Sequence, residues 1–133
     1  LISKWSQIMG RKILVVDDEP DVVKYLCSFL KDNGFTTIEA SDGKEGMELA
    51  IKELPDLISL DITMPNETGT RMLRNLKDHP VTSSIPVIIV TGVDPLYEDF
   101  ITNRKQINPP VAFFEKPIDK DKYLKEIHKL LGN

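Results

Sequence analysis

Hydrophobic residues along this chain gather in five short runs, separated by stretches in which apolar positions recur at a helical interval. The runs cover residues 13–16, 36–40, 56–60, 87–90 and 111–114, and they are nearly continuous in apolar side chains. Strands that are covered on both faces have this composition. The pattern therefore predicts five buried β-strands.

The stretches between the runs predict helices. The first is expected to begin at Pro20, which suits a first turn, and to end at the Asn33-Gly34 pair. The second is expected to begin at Asp42, with Glu45 completing a capping box. A third centres on residues 72–76, a fourth covers residues 95–106 and a fifth follows Asp119.

Apolar stripes on three of these helices are expected to face the core, because their members repeat at helical spacing. The stripes are Val22, Val23, Leu26, Phe29 and Leu30 in the first helix, Met47, Ala50, Ile51 and Leu54 in the second, and Leu124, Ile127, Leu130 and Leu131 in the fifth.

The alternation of strands and helices predicts an α/β fold of (βα)5 type. Its strands would form a doubly wound, five-stranded parallel sheet with right-handed crossovers and helices on both faces. Residues 11–133 are expected to form this single domain, a size that suits one core. Residues 1–10 stand apart as an N-terminal extension. Either a docking segment or a tag or linker remnant fits their sequence.

Composition and charge narrow the class of protein. The chain is 41% hydrophobic and 29% charged, as in ordinary globular proteins. No apolar stretch reaches the roughly 18 residues of a membrane span, and a net charge of −4 disfavours direct binding to nucleic acid. The single cysteine, Cys27, is expected to be buried and reduced, which favours a cytoplasmic location.

Polar residues directly follow four of the predicted strands: Asp17 and Asp18 the first, Asp61 the third, Thr91 the fourth and Lys116 the fifth. Each alone has an ordinary explanation, such as a helix cap for an Asp or a solvated loop for a Lys. In an open parallel sheet, however, ligands bind beyond the carboxyl ends of the strands. Their joint occurrence therefore predicts one shared site.

The chemistry of these residues favours phosphoryl transfer. Clustered carboxylates raise one another's pKa unless a cation lies among them, and Lys116 is expected to satisfy only one of the three. Mg²⁺, which prefers oxygen ligands, is the expected cofactor, with Mn²⁺ as a substitute. A metal, an ammonium, a hydroxyl and a carboxylate nucleophile make up a phosphoryl-transfer site.

Four motifs resemble the receiver domain of two-component response regulators. They are "ILVVDDEP" at 13–20, "LDITMP" at 60–65, "VIIVTG" at 87–92 and "FFEKP" at 113–117, and the similarity extends over about residues 11–131. The resemblance implies a flavodoxin-like sheet with the strand order 2-1-3-4-5. It also implies a signalling phosphoprotein that promotes only its own phosphorylation and dephosphorylation, not an enzyme acting on other substrates.

The resemblance assigns a role to each site residue. Asp61 is implied to be the phosphoacceptor, and Mg²⁺ is implied to lie between Asp17, Asp18, Asp61 and the backbone carbonyl of Thr63. Thr91 and Phe113 are implied to switch after phosphorylation, and Lys116 to pair with the acceptor and then with the phosphoryl group. The peptide bond between Lys116 and Pro117 is expected to be cis.

The expected partners follow from the same family. They are a sensor histidine kinase or phosphotransfer protein, a downstream target or output domain outside this chain, and a homodimer partner. The surface of the fourth helix, fifth strand and fifth helix is expected to switch, although "INPPV" at 107–111 departs from the family pattern. Nucleic acid and membrane are not expected as direct partners.

Two alternatives stay open at this point. A pseudo-receiver would be an interaction module with a silent site, and the intact set of site residues disfavours it. A small Mg²⁺-dependent phosphohydrolase would also use an Asp nucleophile, but its D-x-D-x-[TV] motif needs a second acid. Here Ile62 and Thr63 follow Asp61, so that acid is missing.

Overall fold

The computed structural model describes residues 10–92 and 111–132. The predicted fourth helix at 95–106, most of the "INPPV" segment and residues 1–9 of the extension lie outside this part. The elements in chain order are β1 (Lys12–Val16), α1 (Pro20–Asp32), β2 (Thr36–Ala40), α2 (Gly43–Glu53), β3 (Leu57–Asp61), a 3₁₀ turn (Pro65–Glu67), α3 (Thr68–Asp78), β4 (Val87–Thr91), β5 (Val111–Glu115) and α4 (Lys120–Leu130).

The strands form one parallel sheet in the order β2-β1-β3-β4-β5, which confirms the predicted fold class and topology. Strand β3 lies one residue later at each end than expected, and Asp56 precedes its first residue. The Asp56 carboxylate accepts a hydrogen bond from the Lys12 N–H at 2.8 Å. Asp61 pairs with Val90 of β4 and is therefore the last residue of β3 within the sheet.

Each face of the sheet has its own hydrophobic core. Leu14 and Val16 of β1 pack on the side of α2 and α3, whereas Ile13 and Val15 pack on the side of α1 and α4. This alternation is the two-residue period of a strand with both faces covered. Cys27 of α1 is buried in the second core, as predicted.

Helix α2 packs differently from the prediction. Asp42 caps it as expected, accepting a hydrogen bond from the Glu45 N–H at 2.8 Å. Ala50 is buried, but Ile51 and Leu54 of the predicted inner stripe are 41% and 53% exposed. The closest contacts are made instead by Gly43 and Gly46, which lie directly against α3 and leave no room for a side chain.

The last helix, α4, also departs in part from its predicted stripe. Ile127 is fully buried, whereas Leu124, Leu130 and Leu131 are only partly buried at the margin of the core. Tyr123 is the largest buried side chain of the helix. Its hydroxyl donates a 2.7 Å hydrogen bond to Ser59 Oγ of β3, which satisfies both buried groups.

Among the described residues, none of the helices has the length and apolar character of a membrane span.

Candidate functional site

The carboxyl ends of β1, β3, β4 and β5 meet at one edge of the sheet and carry the predicted site residues. Backbone hydrogen bonds extend the strand pairing to this edge. The Asp17 N–H donates to Ala40 O at 3.1 Å, and the Lys116 N–H donates to Thr91 O at 2.8 Å. The sheet therefore fixes the backbone of both residues independently of their side-chain contacts.

Asp61 lies at the centre of the site and is 1% exposed. Its Oδ1 accepts two hydrogen bonds from Thr63, one from the backbone N–H at 2.8 Å and one from Oγ1 at 2.6 Å. Its Oδ2 lies 3.4 Å from Lys116 Nζ. One carboxylate oxygen is thus held by Thr63, and the other faces the lysine.

Lys116 contacts three carboxylates. Its Nζ lies 2.7 Å from Glu19 Oε1, 3.0 Å from Asp17 Oδ2 and 3.4 Å from Asp61 Oδ2. The expectation that this lysine satisfies only one acid is therefore wrong. An ammonium has three donors, and the ends of β1 and β3 bring the acids around it from different sides.

Burial disfavours the charged form of Asp17. Loss of hydration raises the pKa of this carboxyl to about 6, because it is only 3% exposed, and the negative charge of Asp61 adds to the effect. The Glu19 N–H, which lies 2.9 Å from Asp17 Oδ1, and the Lys116 ammonium act in the opposite direction. These two contacts therefore do not fully offset the cost of burying the negative charge of Asp17.

The pKa of Lys116 is raised above its ordinary value. Burial by itself would lower the pKa of this ammonium, but hydrogen bonds to Glu19 and Asp17 and the charges of Asp61 and Asp17 outweigh that effect. Lys116 is therefore a permanent cation in the site.

The site carries an oxygen-rich acidic cluster. One carboxylate oxygen each from Asp17, Asp18, Glu19 and Asp61 lies within 4.8 Å of the others, with Asp17 and Asp61 buried and Asp18 and Glu19 exposed. One lysine cannot balance four acids, and hard oxygen donors are the ligands of Mg²⁺. The oxygen donors of this cluster fit a divalent cation, and the cluster includes the three predicted metal-binding acids together with Glu19.

Thr91, Phe113 and Pro117 occupy the positions expected of them. Thr91 is buried at the end of β4, and its hydroxyl donates to Gly92 O at 2.9 Å rather than to Asp61. Phe113 of β5 is partly buried against the core on the α2 and α3 side. The Lys116–Pro117 peptide bond is cis. The roles of Thr91 and Phe113, and of the Thr63 carbonyl, remain predictions.

Glu19 is the site residue to which the sequence interpretation gave no role. It makes the shortest of the three contacts with Lys116. Its position directly after Asp17 and Asp18 was a signal, since a third consecutive acid at a strand end lies within side-chain reach of the same cation. The sequence motif alone could not show which of the acids lies closest to the lysine.

A comparison of the sequence with known protein families agrees with the geometry of the site. The model for the response regulator receiver domain matches residues 13–128. The chain belongs to this family. Receiver domains are signalling modules that typically bind Mg²⁺ at an acidic pocket and act with histidine kinases or phosphotransfer proteins.

Curated relatives cover most of this receiver domain. It is 35% identical to protein PilH of Pseudomonas aeruginosa, over 91% of this chain and 98% of PilH. It is 32% identical to sporulation initiation phosphotransferase F of Bacillus subtilis, over 93% of this chain and 96% of that protein. Other relatives are longer. The response regulator PleD of Caulobacter vibrioides is 40% identical over 86 residues, which are 65% of this chain and 19% of PleD.

Solved structures show the same fold. A receiver domain protein from Clostridium thermocellum superposes with a TM-score of 0.81 at 27% identity, over 92% of this chain and 94% of that one. The five-stranded parallel sheet with the order β2-β1-β3-β4-β5 therefore has the fold of a receiver domain.

Proposed function

We propose that this chain is a phospho-accepting receiver domain, in which Asp61 takes a phosphoryl group from a phosphohistidine in a Mg²⁺-dependent reaction. The observation that carries the proposal is the environment of Asp61. Its carboxylate is buried, Thr63 holds Oδ1, and Oδ2 faces Lys116 inside an acidic cluster. A carboxylate positioned in this way can act as a nucleophile.

The transfer exchanges one bond to phosphorus for another. An electron pair of Asp61 Oδ2 forms the new oxygen–phosphorus bond while the phosphorus–nitrogen bond to the donor imidazole breaks. The imidazole keeps that electron pair and takes up a proton. Thr63 limits the motion of the carboxylate through its two hydrogen bonds to Oδ1, so that alignment with the donor costs little additional entropy.

The charges around Asp61 match the needs of the transferred group. Asp17, Asp18, Asp61 and the Thr63 carbonyl are the residues that would hold Mg²⁺, with Mn²⁺ as a substitute. The bound ion supplies positive charge for the acids and the phosphoryl oxygens. Lys116, a permanent cation next to Oδ2, pairs with a phosphoryl oxygen after transfer.

The switch is proposed to run through Thr91 and Phe113. In this structure the Thr91 hydroxyl donates to the neighbouring Gly92 carbonyl, and a phosphoryl oxygen at Asp61 would be a stronger, charged acceptor. Movement of Thr91 toward it would leave space for the partly buried Phe113 ring. The charge change at Asp61 would then alter the surface that contains β5 and α4.

The partners follow from this role. The phosphodonor is a sensor histidine kinase or phosphotransfer protein. The switched surface acts on a downstream target, an output domain or a second copy of the chain. The names of the relatives, a phosphotransferase and response regulators, support this role. A cytoplasmic location is part of the proposal and agrees with the buried, unpaired Cys27.

Acetyl phosphate labelling tests the function. Incubated with acetyl phosphate and Mg²⁺, the chain is expected to gain the mass of one phosphoryl group, and omission of Mg²⁺ should abolish the gain. Asp61→Asn, which keeps the shape but removes the nucleophile, should not be labelled. Asp56→Asn is a matched control at the other end of β3, and it should be labelled normally.

Two outcomes would contradict the proposal. Labelling of Asp61→Asn would place the acceptor elsewhere, and absence of labelling in the unaltered, folded chain would indicate a silent interaction module. Steady turnover of an added phosphomonoester would point to the phosphohydrolase alternative instead.

A further inference from the structure

The shortest contact of Lys116 is with an acid that the proposed function does not use. Glu19 Oε1 lies 2.7 Å from Lys116 Nζ, whereas the acceptor oxygen Asp61 Oδ2 lies 3.4 Å away. The acceptor is buried and Glu19 is 59% exposed. The ammonium, which also lies 3.0 Å from the buried Asp17 Oδ2, is therefore closer to the exposed Glu19 than to the acceptor oxygen.

The backbone fixes Glu19 in this place. Glu19 is the N-cap residue of α1, with φ −94° and ψ 107°. Its carbonyl accepts hydrogen bonds from the N–H groups of Val22 and Val23, and its own N–H donates to Asp17 Oδ1. The backbone of Glu19 is thus anchored to both the helix and the site, and its carboxylate reaches Lys116.

The three acids compete for one cation. The contact with Glu19 draws the Lys116 ammonium away from Asp61, whose carboxylate is among the groups expected to hold the metal. A lysine drawn closer to Asp61 would oppose a divalent cation there by charge repulsion. A lysine held toward Glu19 would leave the Asp61 carboxylate accessible and remain within reach of a phosphoryl group.

We propose that Glu19 is a positioning residue that holds the Lys116 ammonium away from Asp61, so that the Asp61 carboxylate stays available to a divalent cation. The inference rests on the proposed function and deepens it. Without the negative charge of Glu19, Lys116 would pair more closely with Asp61. Mg²⁺ would then have to displace it, and binding would weaken.

The test compares Glu19→Gln with a matched charge variant. Asp21→Asn removes an exposed acid from the first turn of the same helix, beside the same groove as Glu19. None of the ion pairs among the described residues joins Asp21 to Lys116. Calorimetric titration with MgCl₂ is expected to show about two- to fivefold weaker binding for Glu19→Gln than for Asp21→Asn, the effect of one exposed ion pair.

A double-mutant cycle shows whether the effect passes through the lysine. In a Lys116→Met background, Glu19→Gln should weaken Mg²⁺ binding no more than Asp21→Asn does. An excess effect that persists without Lys116 would mean that Glu19 acts as a metal ligand or by general charge, and would overturn the inference. Equal effects of Glu19→Gln and Asp21→Asn in the unaltered background would overturn it too.

A metal-free measurement keeps this test separate from that of the proposed function. Without Mg²⁺ at pH 8, Glu19→Gln is expected to shift the side-chain carboxyl ¹³C resonance of Asp61, while Asp21→Asn leaves it in place. An unchanged Asp61 resonance in Glu19→Gln overturns the inference whatever the metal titration shows. Neither measurement requires phosphorylation, so a chain that passes both and is never labelled contradicts only the proposed function.

Discussion

At the scale of single residues, the site is built from groups whose charges oppose folding and favour a ligand. Asp17 and Asp61 are both buried acids, and burial of a charge is costly unless it is paired. Lys116 pairs with both but is shared with Glu19. The fold therefore keeps an excess of negative charge at the edge of the sheet that a divalent cation can relieve.

Asp17→Asn is expected to stabilise the metal-free protein at neutral pH. Burial raises the pKa of Asp17 from 3.8 to about 6, so the folded state favours the neutral acid, and stability falls as the pH rises from about 4 to about 6. Asparagine mimics the neutral form. At pH 7.5 the variant should be more stable by about 1–3 kcal/mol, and at pH 4 the difference should largely disappear.

Urea unfolding in the presence of a chelator measures this difference. Glu39→Gln, an exposed acid in β2, provides a control for a general effect of charge. A metal-free Asp17→Asn protein that is less stable than the unaltered chain at pH 7.5 would contradict the account of Asp17, because it would show that the pairing with Lys116 outweighs the cost of burial.

At the scale of secondary-structure elements, periodicity predicted the existence of the described helices but not all of their contacts. Hydrophobic spacing placed Ile51 and Leu54 inside, whereas Gly43 and Gly46 make the close contact between α2 and α3. A pattern of apolar residues cannot show that a glycine will let two backbones approach. The burial of Tyr123 could not be predicted from the pattern either, because the hydroxyl that accepts its hydrogen bond, that of Ser59, is far away in the sequence.

Gly43→Ala is expected to destabilise the protein by about 1–3 kcal/mol, the usual cost of forcing extra volume into a packed contact. A Cβ at this position would collide with the backbone carbonyl of Thr68, which cannot move without shifting α3. Gly92→Ala is the matched control, because the nearest atom to its new Cβ among the described residues would be Thr63 Oγ1 at 3.8 Å. Equal unfolding midpoints in urea for both variants would refute this account of the α2–α3 contact.

The Tyr123–Ser59 pair is expected to couple α4 to β3, the strand that carries the acceptor. Tyr123→Phe and Ser59→Ala each leave one buried hydroxyl without its partner, at a cost of about 1–3 kcal/mol. The double variant should cost less than the sum of the two. Free energies of unfolding from urea titrations give the coupling. Simple additivity would show that the hydrogen bond contributes nothing.

At the scale of the whole molecule, the parallel sheet and the edge that carries the site were predictable from the alternation of strands and helices, whereas the strand order followed from the resemblance to receiver domains. Parallel strands with alternating helices direct all their carboxyl ends to one edge, and the order β2-β1-β3-β4-β5 brings the ends of β1, β3, β4 and β5 side by side there. The sharing of Lys116 among three acids was not predictable. It depends on the directions of side chains from β1, β3 and β5, which no linear pattern contains.

The measurement that tests the central claim most directly is chemical mapping of the phosphorylated residue. Borohydride reduces an aspartyl phosphate to homoserine, and peptide mass spectrometry locates the converted residue. After treatment with a phosphodonor and Mg²⁺, this account predicts conversion at residue 61 and at no other acid. Conversion at Asp17, Asp18 or Glu19, or a phosphorylated protein with residue 61 intact, would contradict it.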